Sequence, residues 1–317
     1  MAHNPKRLSR LRAVMGEQGI DVLYVRELSN ISWATGFERV FDDEPAHALV
    51  VSARNCVLHT DSRYFDAMKS AAADTDIEVD NSRMAHSAVL AKVSDCIDGD
   101  IVRVGIEDSM PLAEYHALQR TFEGRAIDLV ELSGFVEELR QVKDESEITA
   151  MRKAQSITDA AFANIIAFMK PGMTEREVQL QLDRYMYEGG AEGLAFGTIV
   201  ATGAHAASPH AIPGETKLAF GDAVVMDFGA RYAGYCSDMT RTVFVGEPSD
   251  EARRAYGAIR RANEECEAML RAGLSGADVH QHAEAVLEEE GFGGAMGHSL
   301  GHSVGIDIHE APNLSPR

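Results

Sequence analysis

The stretch GHSLGHSVGIDIHEAP, residues 297 to 312, carries three imidazoles, His298, His302 and His309, broken up by Gly297, Gly301 and Gly305. Imidazole titrates near working pH, so it can hold a metal, carry a proton or donate a hydrogen bond. His298 and His302 stand four apart, which on a helix would place them on one face, but the glycines make a helix unfavourable. A glycine-rich strand or loop, close to which a metal can approach, fits better. Upstream lie Asp227 and Asp238, in GDAVVMDFGARYAGYCSDMTRTVFVG (221–246), two strand-like runs joined by a turn near Ala233-Gly234. With the turn centred between Tyr232 and Ala233, the two aspartates face each other across the ladder on one face. Val224, Val225, Met226 and Phe228 predict a strand buried on both faces. Two buried carboxylates repel, and a bound cation resolves the conflict; the alternative is a pair of exposed aspartates flanking a turn. With one histidine they form a mixed N/O set suited to Mn, Co, Fe or Zn. His210, in SPHAIP, is a further candidate, although a lone His after Pro is ordinarily a loop residue.

Two metals held by carboxylates can share a hydroxide and polarise a carbonyl, the arrangement that cleaves an amide. Such a pair needs about five ligating side chains. Asp227, Asp238 and His302 supply three.

An internal repeat supplies the frame for these residues. KPGMTEREVQLQLDRYMYEGG (170–190) matches RAGLSGADVHQHAEAVLEEEG (271–291) at a shift of 101. Gly172 falls on Gly273, Thr174 on Ser275, Glu177 on Asp278, Val178 on Val279 and Gly190 on Gly291. Each copy is preceded by a helical pattern, 145–170 and 246–271. In the first, Ile148, Met151, Ala154, Ile157, Ala161, Ile165 and Phe168 give one apolar face. Pro171 and Gly172 end that helix, and Thr174 with Glu177 reads as a capping box opening the next. The same shift sends the hairpin 221–246 to about 322–347, past Arg317, and the missing carboxylates to about 328 and 339. The second half is therefore expected to lack its last hairpin, leaving the metal site incomplete and a sheet edge exposed.

The first ~135 residues alternate helix and strand, the mark of an α/β layer domain. IDVLYV (20–25), HALVVS (47–52), CVLHTD (56–61) and IVRVGIE (101–107) are β-branched and strand-like, and Leu8, Leu11, Val14 and Met15 form a helix that Gly19 stops. His47, His59, His86 and His116 read as isolated surface or core histidines, and His205, His280 and His282 as surface residues. The charged segment ELRQVKDESEI (138–148) reads as the junction, giving domains 1–137 and 138–317.

Composition narrows the classes of function. With 45% hydrophobic and 25% charged residues, the 317-residue chain can bury globular cores. A net charge of −20 disfavours nucleic-acid and membrane partners. Four cysteines without CxxC spacing indicate a reduced, cytoplasmic protein. No signal-peptide pattern opens the chain, and no run approaches 18 apolar residues.

IVATGAHAASPHA (199–211), residues 221–242 and residues 297–312 resemble the signature segments of the pita-bread metallopeptidases, in the Xaa-Pro aminopeptidase and Xaa-Pro dipeptidase (prolidase) branch. NISWATGF (30–37) and DSRYF (61–65) are similar to the creatinase-type N-terminal domain of that branch, which methionine aminopeptidases generally lack. The resemblance implies a creatinase-like α/β domain followed by a pita-bread catalytic domain built on the duplication. It implies a homodimer hydrolysing Xaa-Pro bonds in proline-containing peptides with metal-bound hydroxide. Two divalent ions, manganese above Co, Fe or Zn, would be held by Asp227, Asp238 (bridging) and His302. His210 and His309 would act at the scissile peptide, and His298 would line the substrate's proline side. Glu310 is read as structural. The family's two glutamates from a final hairpin are not present in these 317 residues, which leaves a second expectation: a truncated, inactive homologue retaining only peptide-binding or dimerisation capacity. Creatinase-like, metal-free C–N hydrolysis is a third, and the aspartate pair with His302 speaks against it.

Overall fold

The structure, a computed structural model, describes residues 5–42 and 44–316. The chain forms two compact units, Met1–Lys143 and Asp144–Arg317, dividing inside the charged stretch 138–148.

In the first unit the order is α1 (Pro5–Glu17), β1 (Val22–Val25), α2 (Leu28–Thr35), β2 (Ala48–Ser52), β3 (Cys56–His59), α3 (Phe65–Ala71), β4 (Glu78–Asp80), α4 (His86–Ser94), β5 (Val102–Glu107), α5 (Leu112–Thr121), β6 (Ile127–Leu132) and α6 (Phe135–Gln141). The sheet runs β4-β3-β2-β1-β5-β6, with β2 antiparallel to both its neighbours and the other pairs parallel. β1, β2 and β3 are buried at every position, which is why VLYV, ALVVS and CVLH are almost wholly apolar. The edge strands β4 and β6 carry Glu78, Asp80, Asp128 and Glu131, the charge with which proteins blunt an open edge. Val22, Tyr24, Val50, Leu90, Val104, Ile106 and Leu118 belong to the core of this unit. Each such side chain contributes roughly 1.5–3 kcal/mol when fully buried.

The second unit follows as α7 (Glu145–Phe168), α8 (Glu175–Glu188), β7 (Gly193–Leu194), β8 (Ile199–Thr202), a 3₁₀ turn over Gly203–Ala207, β9 (Ala223–Phe228), β10 (Ala230–Tyr232), β11 (Tyr235–Cys236), β12 (Met239–Phe244), α9 (Asp250–Met269), α10 (Gly276–Glu289), β13 (Gly301–Ser303) and β14 (Glu310–Leu314). The Thr174–Glu177 capping box forms, and α7 opens on a second one between Asp144 and Glu147. The buried stripe of α7 is Ala150, Ala154, Ile157, Ala161 and Ile165 with Glu147 and Thr158, whereas Ile148 and Met151 are only half-buried.

The duplication is visible in the backbone. Shifted by 101, α8 coincides with α10 residue for residue, and β8 lands at 300–303 beside β13. Gly172, Gly190, Gly273 and Gly291 all hold left-handed φ, between 84° and 98°. The capping logic does not fully recur: Ser275 makes no side-chain cap bond to α10. Instead the start of that helix packs on β14, where a Cβ on Gly276 would lie 2.0 Å from the Asn313 carbonyl oxygen. β12, β9 and β8 form one three-stranded sheet, and β11, β10 and β7 another. Val178, Leu182, Met186, Val224, Met226 and Phe228 anchor one core; Ala262, Val279, Ala283 and Val286 anchor the other.

Candidate metal centre

The two aspartates sit on a long hairpin whose register differs from the sequence expectation. Tyr232 pairs with Tyr235 and Arg231 with Cys236, so the turn is Ala233-Gly234, with φ of 49° and 79°. The positive φ at both residues is the backbone that a two-residue hairpin turn requires. The register therefore moves by two. Asp227 lies opposite Thr240, not Asp238. Continuing that register puts Asp238 across from Gly229, so the carboxylates are diagonal neighbours on one face rather than directly opposed. Nor is β9 buried on both faces. Val224, Met226 and Phe228 are buried, while Ala223, Val225 and Asp227 are half-buried. The half-open face is the one that carries the acid.

Asp238 follows a backbone segment that is tightly held. The Ser237 N–H donates to Ala230 O at 2.9 Å, and the Ala230 N–H donates to Ser237 Oγ at 2.9 Å. Thr158 of α7 closes the group, its hydroxyl 2.7 Å from Ser237 Oγ. Gly229 is required by this packing: a Cβ there would meet the Ser237 carbonyl oxygen at 2.0 Å. Thr240 Oγ1 donates to Asp227 Oδ1 at 2.9 Å, fixing the first carboxylate.

The glycine-rich stretch brings up the histidines. His302 lies in β13, whose pairing with β14 shifts register between His302 and Ser303. The loop beyond it docks on the hairpin: the Cys236 N–H donates to Gly305 O at 2.7 Å, and Arg231 Nη1 donates to Ile306 O at 2.9 Å. His302 Nε2 consequently stands 3.5 Å from Asp238 Oδ2, both side chains being 26% exposed. His302 Nδ1 donates to Ser303 O at 3.1 Å, so Nε2 is the ring nitrogen that faces the carboxylate. The His309 ring packs against that of His302 with centroids 4.3 Å apart. Glu310 hydrogen-bonds the Asp307 N–H and lies over Gly305. His298 stays apart from this group, exposed in a loop with its Nδ1 2.8 Å from Ser299 O.

Burial raises both aspartates above the ordinary carboxylate range. The charge of Asp227 pushes Asp238 further up, while His302 and His309 pull it down. For Asp227 the opposing influences are the Thr240 hydroxyl, exposed His210 and His302. Among the described residues, no Lys or Arg figures in the charges acting on either acid. A half-buried dicarboxylate that imidazoles and one hydroxyl only partly balance is a donor set that fits a divalent cation. Among the described residues, though, no three His, Cys, Asp or Glu side chains are gathered into a ready metal-holding group.

Several histidines stand where the sequence reading did not put them. His47, His59 and His86 are not isolated. His47 and His59 are buried at one end of the β2–β3 pair, His47 Nδ1 lying 2.9 Å from Thr60 Oγ1. His59 and His86 share a hydrogen bond through their Nδ1 atoms. A cavity of about 570 Å³ opens beside them, lined among others by Thr60, Arg63, Ser82 and Arg83. His280 is buried, its Nδ1 accepting from the Leu300 N–H at 3.2 Å. His205 is half-buried against Glu175, and His282 pairs with Glu265 at the surface. The supports from Arg231, Cys236, Ser237 and Thr240 escaped the sequence reading; only Thr240 had a findable signal, a correct register count.

Comparison with known proteins places the chain in a family. Residues 149–317 match metallopeptidase family M24, and residues 7–142 match the creatinase/prolidase N-terminal domain. The chain is 33% identical to an uncharacterised peptidase of Bacillus subtilis, YqhT, over 98% of this chain and 85% of that one. It is 26% identical to an Xaa-Pro dipeptidase of Pyrococcus horikoshii, over 98% and 84%. Among solved structures it superposes on an Xaa-Pro dipeptidase from Bacillus anthracis with TM-score 0.88 at 33% identity, covering 98% of this chain and 85% of that one. An X-Pro aminopeptidase from Thermotoga maritima gives 0.84 at 33%, with the same coverage. The chain belongs to metallopeptidase family M24. Its first unit is a creatinase-type N-terminal domain and its second a pita-bread domain, the framework of a metal-dependent peptidase. No helix among the described residues is long and apolar enough to cross a membrane.

Proposed function

We propose that this protein is a dinuclear metallo-exopeptidase that hydrolyses the Xaa-Pro bond of short proline-containing peptides. The observation that carries the reading is the pair of half-buried acids, Asp227 and Asp238, on one hairpin face with His302 Nε2 directed at Asp238. Asp227, Asp238 and His302 would hold the metal, manganese first, with Co, Fe or Zn as alternatives. Bound there, divalent ions supply Lewis-acid polarisation of the scissile carbonyl and a nucleophile at neutral pH. The chain's own imidazoles do the remainder. His210 and His309, both exposed at the edge of the acid pair, donate hydrogen bonds to the peptide carbonyl and pass a proton to the leaving nitrogen. His298 borders the proline side of the substrate. A proline peptide lacks the amide N–H, so a dedicated site is chemically reasonable. The proposal includes a cytoplasmic homodimer.

One observation favours a second reading, a homologue that binds peptide or its own copy without turnover: the absence, among the described residues, of a converged three-ligand group. A single experiment separates the two. The purified chain is titrated with Mn²⁺ and assayed on an Xaa-Pro dipeptide, an Xaa-Pro tripeptide and the matching Xaa-Ala peptides. Two ions bound per chain with turnover of the proline substrates alone supports the peptidase. No binding and no turnover leaves the second reading.

A further inference from the structure

Glu175 is the first residue of α8 and its side chain is fully buried. A buried carboxylate must be matched by donors, and all those it has here come from one stretch of chain. Oε1 accepts from the Thr202 N–H at 2.9 Å and from His205 Nδ1 at 2.8 Å. Oε2 accepts from His205 Nδ1 at 3.0 Å and from the Gly214 N–H at 3.1 Å. These donors sit at the start, within and at the end of the loop that carries His210. The backbone adds to the same contact, the Arg176 N–H donating to Gly214 O at 3.1 Å and the Glu175 N–H to Thr216 O at 3.0 Å. His210 itself is exposed, and its imidazole is near enough to Asp227 to lower that acid.

We propose that Glu175, acting with His205, is a positioning residue for His210. The inference rests on the reading that His210 serves at the peptide bond. A loop of thirteen residues closing around an exposed imidazole would otherwise sample many positions, and each ordered residue costs entropy. One carboxylate gripping both ends and the middle removes that freedom without touching substrate. His205 is the central strut, its Nδ1–H facing both carboxylate oxygens of Glu175. The arrangement also explains why a histidine of apparently superficial sequence context is half-buried. In the repeat-related position Gly276 has no such side chain, and β14 packs on the helix start directly.

The test uses the whole 317-residue chain. Glu175→Gln keeps the shape but turns one acceptor into a donor facing N–H groups. It is expected to speed amide exchange across 203–214 about tenfold or more and to move the ring Cε1 NMR signal of His210, with exchange in α9 and α10 unchanged. His205→Leu should reproduce both effects. His205→Asn, whose amide nitrogen can replace Nδ1 as donor, should restore both. Exchange that rises equally throughout α9 and α10, or a His210 signal that stays in place in the Gln and Leu variants, overturns the inference. Activity of His210→Ala is read separately. A silent His210→Ala with a moved His210 signal in Glu175→Gln removes the catalytic reading and leaves the positioning role. A dead His210→Ala with an unmoved signal does the reverse.

Discussion

Two groups of histidines occur in this chain, one in each unit, and they differ in what surrounds them. In the first unit the His59 and His86 rings satisfy one another, and His59 Nε2 is 3.0 Å from Ser82 O. Burial, Arg26 and the neighbouring imidazoles press His86 down to about 3, so it stays neutral. In the second unit His302 and His309 face two carboxylates that burial has raised and that, among the described residues, no Lys or Arg offsets. A count of imidazoles does not distinguish the groups. Unbalanced negative charge beside an imidazole nitrogen does, and this is what a cation would stabilise.

The largest effect is expected where that imbalance is removed. Asp238→Ala should lower Mn²⁺ affinity by more than about 100-fold, since changes to the supports of a ligand alone cost about 10–100-fold. His59→Ala and His86→Ala should leave it within error of the parent. Isothermal titration of the chelated and reloaded protein measures all three, and a drop in the unit-one variants would erase the distinction between the groups. Thr240→Val comes next. It deletes the donor to Asp227 while keeping the strand, and should weaken metal binding by about 10-fold or somewhat more.

The fold was largely legible in the sequence, and the site only in outline. β1, β2, β3 and β5 announced themselves because they are buried and apolar, whereas β4 and β6 hid behind the acids that protect sheet edges. The repeat pointed to α10 within 271–291 because it rests on glycines that hold positive φ, although the cap it implied at Ser275 does not form. The same criterion failed at the hairpin. The sequence puts the turn near Ala233-Gly234, where it lies, but Ala233 is a non-glycine residue at positive φ, so the turn's centre was set one residue early and the register of the two aspartates two residues off. The histidine contacts were less visible still. His59 meets His86 only through the β2–β3 pairing and the start of α4, and His280 reads as superficial on α10 until the Leu300 amide closes over it. Contacts of this kind join residues more than ten positions apart, where spacing carries no information.

A smaller effect separates the units by pH. In the unfolded chain His86 takes up its proton near the ordinary histidine value of about 6.5; folded, it does so only near about 3. The unfolded state therefore binds more protons throughout that window, and the first unit loses stability as pH falls through it. His86→Asn should flatten this part of the profile, followed by circular dichroism on denaturant unfolding between those limits. An unchanged slope would mean that His86 is not held neutral.

The smallest effect has the opposite sign and belongs to the acids. Asp238 in the metal-free fold keeps its proton to higher pH than in the unfolded chain, because burial and Asp227 both disfavour its charge. The folded state thus binds more protons, and stability falls as pH rises from the ordinary aspartate range through the raised one. Above that range the cost persists. Asp238→Asn removes it, so the chelated variant should unfold later than the parent at neutral pH by on the order of 1 kcal/mol, about 2–4 °C for a unit of this size. Below the ordinary aspartate value both forms are neutral and the gap should close. Saturating Mn²⁺ should reverse the order, since ligand at about 100 times its dissociation constant adds about 2.7 kcal/mol to the parent and little to the variant. A gap that survives at low pH, or an order that metal leaves untouched, would show that the strain at Asp238 is not electrostatic and that the hairpin face was not shaped around a cation.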